Sequence, residues 1–247
     1  MIPKIIHYCW FGRKEKPKSV IRNIETWKRY NPDFIIKEWN EDNFNIDLFP
    51  YVSEAYRCGK YAYVSDVARV CALITEGGIY MDTDVECIRP FSDILLKNNS
   101  FLGFEDAEVL KIGSAVVGSI PNFTFWLDFL NSYKSKKFIL ENGELDTLPN
   151  TTIITSILEK NGLMINNTQQ IVLGISIYPK DYFSPKSYKT SKIVVSENTI
   201  CIHKYAASWM SPTYRNLLKC WFYVRYHFPC IAKYLSNLYR YSRRLFS

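Results

Sequence analysis

The chain has 247 residues, of which 47% are apolar, 16% aromatic and 22% charged. This length and apolar content suffice for one sizeable α/β domain with an appendage, and they exclude a disordered chain. The formal net charge is +7, but seven of the Lys and Arg residues lie between positions 213 and 247, a segment without acids. The remainder of the chain is neutral, so its charge gives no indication of a nucleic-acid groove.

The seven cysteines are scattered without a CxxC pair, and no secretory leader is recognisable. This usage predicts reduced thiols in a cytosolic protein. No apolar run approaches the roughly 18 to 20 residues that a membrane-spanning helix needs. We therefore expect a chain that does not cross a bilayer.

The first predicted elements form a β-α-β unit. Residues 2–10 are an apolar run that predicts a strand buried on both faces, in the centre of a parallel sheet. A helix then runs to Tyr30, and residues 34–39 predict the second strand of a right-handed crossover. Trp10 ends the first strand, at the carboxyl edge where open α/β sheets bind ligands.

A long helix is predicted over residues 61–75, with Val64, Ala68, Cys71 and either Leu73 or Ile74 on its buried stripe and Gly77 at its C′ position. It leads directly into an apolar strand. The later elements are strands over 101–104, 115–120, 171–178 and 200–205, and helices over 122–133 and 151–161.

Two carboxylates, Asp82 and Asp84, follow the glycines Gly77 and Gly78 and the apolar residues 79–81. Residues i and i+2 of a strand share a face, so both side chains would converge on one cation at the strand's tip. All-oxygen ligation suits Mg²⁺ or Mn²⁺, which usually keep positions open for substrate phosphates. The alternative interpretation is a solvated turn with two surface carboxylates.

Three more polar residues are candidates for the same site. Asp66 and Arg69 lie at i and i+3 on one side of the long helix, as an ordinary ion pair or as a pair that grips sugar hydroxyls. His203 lies in the last predicted strand. It is either a satisfied core histidine or a late ligand of Mn²⁺.

Four segments together resemble glycosyltransferase family 32. They are residues 2–12, residues 61–69, residues 77–84, and the closing His203 with Ser208 and Trp209. That family groups bacterial capsular and O-antigen sugar transferases with yeast initiating mannosyltransferases, and it is related to clostridial glucosylating toxins. The resemblance spans about residues 2–210.

The resemblance implies a GT-A type nucleotide-sugar transferase fold, a Rossmann-like mixed sheet flanked by helices, and retaining transfer with Mn²⁺ or Mg²⁺. By position, Asp82 and Asp84 would hold the metal and diphosphate, with His203 as a further metal ligand. The other implied roles are sugar binding by Asp66 and Arg69, base stacking by Trp10, closure over the diphosphate by Ser208 and Trp209, and an acceptor-side role for Asn150.

Residues 211–247 are predicted to form a basic, aromatic helical tail beyond a catalytic domain over 1–210. From residue 231 onward, apolar residues fall on one helical face and Lys and Arg on the other, the pattern of an interfacial helix. Several basic residues near an anionic leaflet contribute about 1 kcal/mol each. The alternative is a pair of helices that pack on the body with their basic face solvated.

The sequence thus predicts a metal-dependent, retaining hexosyltransferase, cytoplasmic and peripheral to the inner face of the membrane. Its donor would be a UDP-sugar, with a GDP-sugar as the alternative, and its acceptor a lipid-linked glycan of a surface polysaccharide. Two other classes stay open: a non-catalytic glycan- or nucleotide-binding module held at the membrane by its tail, and a membrane-binding scaffold. Nucleic acid is not expected as a partner, and the sequence does not indicate an oligomeric state.

Overall fold

The computed structural model describes residues 1–106, 109–206 and 212–231. Its strands are β1 (Ile5–Cys9), β2 (Ile35–Trp39), β3 (Gly78–Met81), β4 (Val85–Cys87), β5 (Ser100–Asp106), β6 (Leu110–Ser119), β7 (Gln170–Val172), β8 (Ile175–Tyr178) and β9 (Cys201–His203). Its helices are α1 (Lys18–Tyr30), α2 (Pro50–Arg57), α3 (Tyr61–Glu76), α4 (Asp93–Leu96), α5 (Thr124–Asn131), α6 (Asn150–Lys160) and α7 (Pro212–His227).

Seven strands form one mixed sheet in the order β2-β1-β3-β6-β5-β8-β7. β1 is parallel to both β2 and β3, β5 is parallel to β8, and the other neighbours are antiparallel. The predicted mixed α/β sheet is confirmed, as is the β1-α1-β2 crossover. β1 is not the central strand, however, because it lies second from one edge.

α3 is buried beyond the predicted stripe, since Val67, Val70 and Ala72 are also at most 1% exposed. The predicted single stripe is therefore too narrow for this helix. The helix ends at Gly77, which has φ +65° and donates its N–H to the carbonyl of Leu73 at 3.1 Å. This is the left-handed residue that the sequence predicted at the helix's end.

Two short strands outside the main sheet, β4 and β9, form a small antiparallel ribbon. β4 pairs with β9 so that Val85 lies opposite His203 and Cys87 opposite Cys201. The side chain of Trp27, fully buried in α1, donates its indole N–H to the Val85 carbonyl at 2.8 Å. α1 therefore supports the ribbon that follows the two predicted metal-binding carboxylates.

The predicted strand over 171–178 is in fact a hairpin of β7 and β8. Leu173 and Gly174 form its two-residue turn with φ of +50° and +75°. Two positive φ values match the turn twist that suits a tight hairpin. The apolar Leu173 concealed the turn in the sequence.

Part of the predicted tail is described. α7 begins at Pro212, and Phe228 and Pro229 follow its last residue, His227. The predicted interfacial helix from residue 231 lies almost wholly outside the described residues, and the division at residue 210 stays a prediction. Among the described helices, none combines the length and the hydropathy needed to span a membrane.

Candidate active site

A cavity of about 680 Å³ opens beyond the carboxyl ends of β1 and β3. Open α/β sheets bind ligands at this edge. Seven of the residues predicted for the site line it: Trp10, Asp66, Arg69, Asp82, Asp84, Asn150 and His203. Ser208 and Trp209 lie outside the described residues. The structure thus brings together side chains from five separate parts of the chain.

Asp82 and Asp84 converge through a turn, and the expectation that they share a strand face is wrong. β3 ends at Met81. The Asp82 N–H still donates to Ala115 of β6 at 2.8 Å, but the Asp82 carbonyl accepts from the Val85 N–H at 3.0 Å, which closes a turn over residues 82–85. One ligand atom each of Asp82, Asp84 and His203 lie within 4.8 Å of one another.

Helix α1 holds this turn from behind. Asn23, only 3% exposed, donates its side-chain N–H to the Thr83 carbonyl at 2.8 Å. Its oxygen accepts from Lys204, the residue after His203, at 2.8 Å. One buried amide therefore joins the turn between the two carboxylates to the chain that carries the histidine. Asn23 was not predicted, although a polar residue in line with Val20 and Trp27 on an apolar helix face was a usable signal.

Arg69 does more than pair with Asp66 within α3. Its guanidinium lies 2.9 Å from Asp66 and 3.3 Å from Asp82, and it donates to the Ser114 carbonyl at 2.7 Å. It also lies over the Tyr80 ring at 4.4 Å, and the Tyr80 hydroxyl donates to Asp82 at 2.9 Å. Arg69 is therefore more than one half of an ordinary intrahelical ion pair, because it contacts both Asp66 and Asp82.

Burial and neighbouring charges raise the pKa of two acids of the site, Asp66 and Asp82, and lower the pKa of a third, Asp84. Burial raises the pKa of Asp66 to about 7, with Arg69 opposing and Asp82 adding to the shift. Burial likewise raises the pKa of Asp82, although Arg69 opposes it. Burial alone would raise the pKa of Asp84 too, but His203 and the Ala206 N–H outweigh burial and lower this pKa to about 2.

His203 lies between two carboxylates. Its Nε2 is 3.5 Å from Asp84 and its Nδ1 is 3.6 Å from Glu105. Burial lowers its pKa, but Asp84 and Glu105 outweigh burial and raise the pKa to about 10. The imidazole thus carries positive charge where Asp82 and Asp84 meet. A divalent cation would supply that charge in place of the Nε2 proton.

The donor atoms fit the metal that the sequence predicted. Two carboxylates and one imidazole are oxygen and nitrogen ligands suited to Mn²⁺, and the carboxylates alone also suit Mg²⁺. Asp82 has one oxygen engaged by Arg69 and Tyr80, and Asp84 has one engaged by the Ala206 N–H at 2.7 Å. These contacts orient the carboxylates, a role that surrounding residues play at metal sites generally.

Asn150 borders the cavity at the first residue of α6 and is 3% exposed. Its oxygen accepts from the Ser114 hydroxyl at 3.0 Å. Its Nδ2 is buried and makes no hydrogen bond within the described chain. A buried unpaired donor is costly, and a ligand oxygen in the cavity would remove that cost.

Glu105 and Tyr205 were also missed. Glu105 ends the buried run of β5 and is 5% exposed, while the Tyr205 ring lies 4.1 Å from the His203 ring. The predicted strand stopped one residue short of Glu105. An acid directly after a buried apolar run was the signal that could have found it.

Comparison with known proteins identifies one matching family model. Residues 17–102 match the "Glycosyltransferase sugar-binding region containing DXD motif". An uncharacterized glycosyltransferase of Acanthamoeba polyphaga mimivirus is 30% identical over 159 residues, which cover 62% of this chain and 61% of the relative. The initiation-specific alpha-1,6-mannosyltransferase of Candida albicans is 25% identical over 134 residues, covering 50% of this chain and 35% of the relative.

The chain therefore spans less than two thirds of these relatives' lengths. Among solved structures, the PaToxG glycosyltransferase superposes with a TM-score of 0.48 at 19% identity, covering 64% of this chain and 68% of that one. The matched region contains the segments with Asp66, Arg69, Asp82 and Asp84. The sequence matches confirm the predicted resemblance.

Proposed function

We propose that this chain, which carries the DXD-containing sugar-binding region of glycosyltransferases over residues 17–102, is a metal-dependent glycosyltransferase. The observation that carries the proposal is the meeting of Asp82, Asp84 and His203 within 4.8 Å at one cavity. A catalytically silent module has no need of two carboxylates and an imidazole in this arrangement. The proposed donor is a nucleotide sugar, with a UDP-sugar favoured over a GDP-sugar.

The donor would lie along the cavity with its diphosphate against the turn over residues 82–85. Asp66 would accept hydrogen bonds from sugar hydroxyls, and Arg69 would keep Asp66 and Asp82 in place through contacts of 2.9 and 3.3 Å. Trp10 would stack on the base at the other end. Its indole is oriented by a hydrogen bond from Nε1 to the Lys14 carbonyl at 2.6 Å. Ser208 and Trp209 would close over the diphosphate.

Asp82, Asp84 and His203 would hold Mn²⁺ or Mg²⁺. When bound, this ion supplies Lewis-acid stabilisation of charge on the departing diphosphate. The residues of the chain would supply position: Arg69 and Tyr80 hold Asp82, and the Ala206 N–H holds Asp84.

We propose retention of anomeric configuration through attack from the face that the diphosphate leaves. A two-step route would need a carboxylate free to act as nucleophile. The cavity's described carboxylates each have a cationic or imidazole partner within 3.6 Å: Arg69 for Asp66 and Asp82, His203 for Asp84, and His203 with Lys111 for Glu105. This supports an oxocarbenium-like transition state without a covalent intermediate.

The acceptor would enter beside Asn150, whose unpaired Nδ2 would donate to a sugar hydroxyl. We propose that it is a lipid-linked oligosaccharide in capsule, O-antigen or related surface polysaccharide synthesis. The helix α7 supports a peripheral position at the inner membrane face, since Leu217 at 62% and Phe228 at 49% expose apolar surface and Arg225 of the same helix is exposed. Trp221 and Val224 on the same stripe are half-buried, so packing on the body stays the alternative.

The donor is tested by thermal shift of the purified protein with Mn²⁺ and a panel of UDP-, GDP- and CMP-sugars. One donor should raise the melting temperature, because a ligand that binds only the folded state stabilises it. With that donor and a glycan acceptor, proton NMR of the product then reports the anomeric configuration.

An axial donor giving an axial product supports retention, and inversion would refute it. A stabilising donor that is never consumed with any acceptor would instead favour the non-catalytic nucleotide-binding module. No stabilisation by any nucleotide sugar would contradict the whole proposal.

A further inference from the structure

The second ring nitrogen of His203 has a carboxylate partner of its own. Nδ1 lies 3.6 Å from Oε2 of Glu105, on the opposite side of the ring from Asp84. Nδ1 is buried and forms no hydrogen bond of ordinary length with any described residue. Glu105 is therefore the group best placed to accept a hydrogen bond from Nδ1–H, once the two side chains approach by a few tenths of an ångström.

The surroundings of Glu105 are shaped to keep a carboxylate at this place. A Cβ on Gly113 of the neighbouring strand would come within 2.8 Å of Oε2, so glycine leaves the room that the carboxylate occupies. The other oxygen, Oε1, lies 3.6 Å from the Lys111 ammonium, directly across the strand pair. Tyr205 packs on the imidazole ring at 4.1 Å and restricts its rotation.

We propose that Glu105 is a positioning residue that accepts a hydrogen bond from the Nδ1–H of His203. The Nε2 lone pair of His203 is then presented toward Asp82 and Asp84. The proposal rests on the metal site of the proposed function. An imidazole that donates from one nitrogen to a carboxylate is fixed in one tautomer and one orientation, and its other nitrogen becomes a better ligand. Glu105 itself touches neither donor nor acceptor in this role.

Substitutions of Glu105 can separate the position of its acceptor oxygen from its negative charge. A role in orienting His203 requires an acceptor atom at the distance of the glutamate carboxylate, whereas a role in general electrostatics requires only a negative charge nearby. Glu105→Gln keeps the reach and an acceptor oxygen without the charge. Glu105→Asp keeps the charge but withdraws it by one methylene, and Glu105→Leu removes the acceptor altogether.

The test is calorimetric titration of the full chain with MnCl₂ near neutral pH. Glu105→Leu and Glu105→Asp should weaken Mn²⁺ binding by about 10- to 100-fold, the usual cost of losing such a partner. Glu105→Gln should stay within about threefold of the unmodified chain, since its oxygen still accepts from Nδ1. Asp106→Asn, which removes the next carboxylate of β5 and its contact to Lys180 at 3.4 Å, is the matched control and should bind normally.

A double-mutant cycle tests whether Glu105 acts through His203. In the His203→Ala background, Glu105→Leu should change Mn²⁺ affinity by less than about threefold, because the ring that it orients is gone. If the leucine variant does not fold, as judged by circular dichroism, Glu105→Asp takes its place in the cycle.

Unchanged affinity in Glu105→Leu and Glu105→Asp, or additive losses in the cycle, would overturn the role of Glu105 while leaving the metal site intact. Normal binding by Glu105→Asp with weak binding by Glu105→Gln would replace positioning by simple charge. An unmodified chain that binds no Mn²⁺ would overturn the proposed metal-dependent function and this inference with it.

Discussion

Asp66 is a buried acid whose charge depends on a single cation. Arg69 lies 2.9 Å from it, and the side chain of Asp66 is 14% exposed. Burial raises the pKa of Asp66 to about 7, although Arg69 opposes the shift. The carboxyl group thus changes protonation near neutral pH, unlike a surface aspartate.

The free energy of unfolding should therefore depend on pH through Asp66. The folded pKa lies above the unfolded value, so the stabilising contribution is full below about pH 4 and is lost as pH rises through about 7. Asp66→Asn should remove roughly 2 to 4 kcal/mol of this pH dependence, measured by urea unfolding in chelator-treated buffer. The exposed Asp42→Asn is the control and should follow the unmodified chain. Parallel curves for Asp66→Asn and the unmodified chain would refute the shifted pKa.

Whether a residue of the site could be predicted from the sequence depends on how far along the chain its partner lies. Asp82, Asp84, Asp66 and Arg69 were predicted because short spacings and a family resemblance indicate them. Asn23 was not predicted, because its role comes from a hydrogen bond to Thr83, 60 positions away. A local pattern can single out the polar Asn23 on its apolar helix face, but it does not specify a partner so far along the chain.

The corner between α3 and β3 sets the position of the Asp82 turn. Gly78 has φ +99°, and a Cβ there would lie 2.7 Å from the Ile5 carbonyl and 3.0 Å from the His7 ring. β3 can therefore run beside β1 only if this position has no side chain.

Gly78→Ala should lower the free energy of unfolding by about 2 to 4 kcal/mol, from backbone strain and a steric clash with the carbonyl together. Gly59→Ala is the matched control, because Gly59 also has positive φ, +66°, but no atom within 4 Å of a built Cβ. It should cost only about 1 kcal/mol. Urea unfolding measures both, and equal losses would show that the clash at Gly78 contributes nothing.

Helices and strands were predicted where hydrophobic periodicity is clear, and a turn was missed where its residues are unusual for a turn. The β1-α1-β2 unit and α3 were predicted because long apolar patterns mark them. The β7-β8 hairpin was not, since an apolar Leu173 takes a backbone conformation that normally favours Gly or Asn. The pairing of β4 with β9 joins distant segments, and neither segment specifies its partner.

Charge is distributed unevenly over the whole molecule. The seven basic residues beyond position 212 account for the entire net charge of +7, and that segment has no acid. Its described part also exposes apolar side chains, including Leu217, Phe228 and Ile231 at 62%, 49% and 52%. Basic and apolar surface together are typical of segments that bind anionic membranes.

The combined variant Leu217→Ser, Phe228→Ser and Ile231→Ser should reduce sedimentation with phosphatidylglycerol-rich vesicles by about tenfold, as apolar burial is lost. Ile94→Ser, which replaces a residue 75% exposed on α4, is the control and should leave binding unchanged. Added salt should weaken binding of the unmodified chain. Vesicle binding that survives the triple substitution would exclude these side chains from the membrane contact.

Metal-dependent transfer is measured as release of nucleotide from the stabilising donor, with Mn²⁺ and with chelator, by the unmodified chain and by Asp84→Asn. Release should require the metal and fall by at least about 100-fold in Asp84→Asn, while the surface variant Asp42→Asn retains full activity. Metal-independent release, or an Asp84→Asn variant as active as the unmodified chain, would contradict a reaction centred on Asp82, Asp84 and His203.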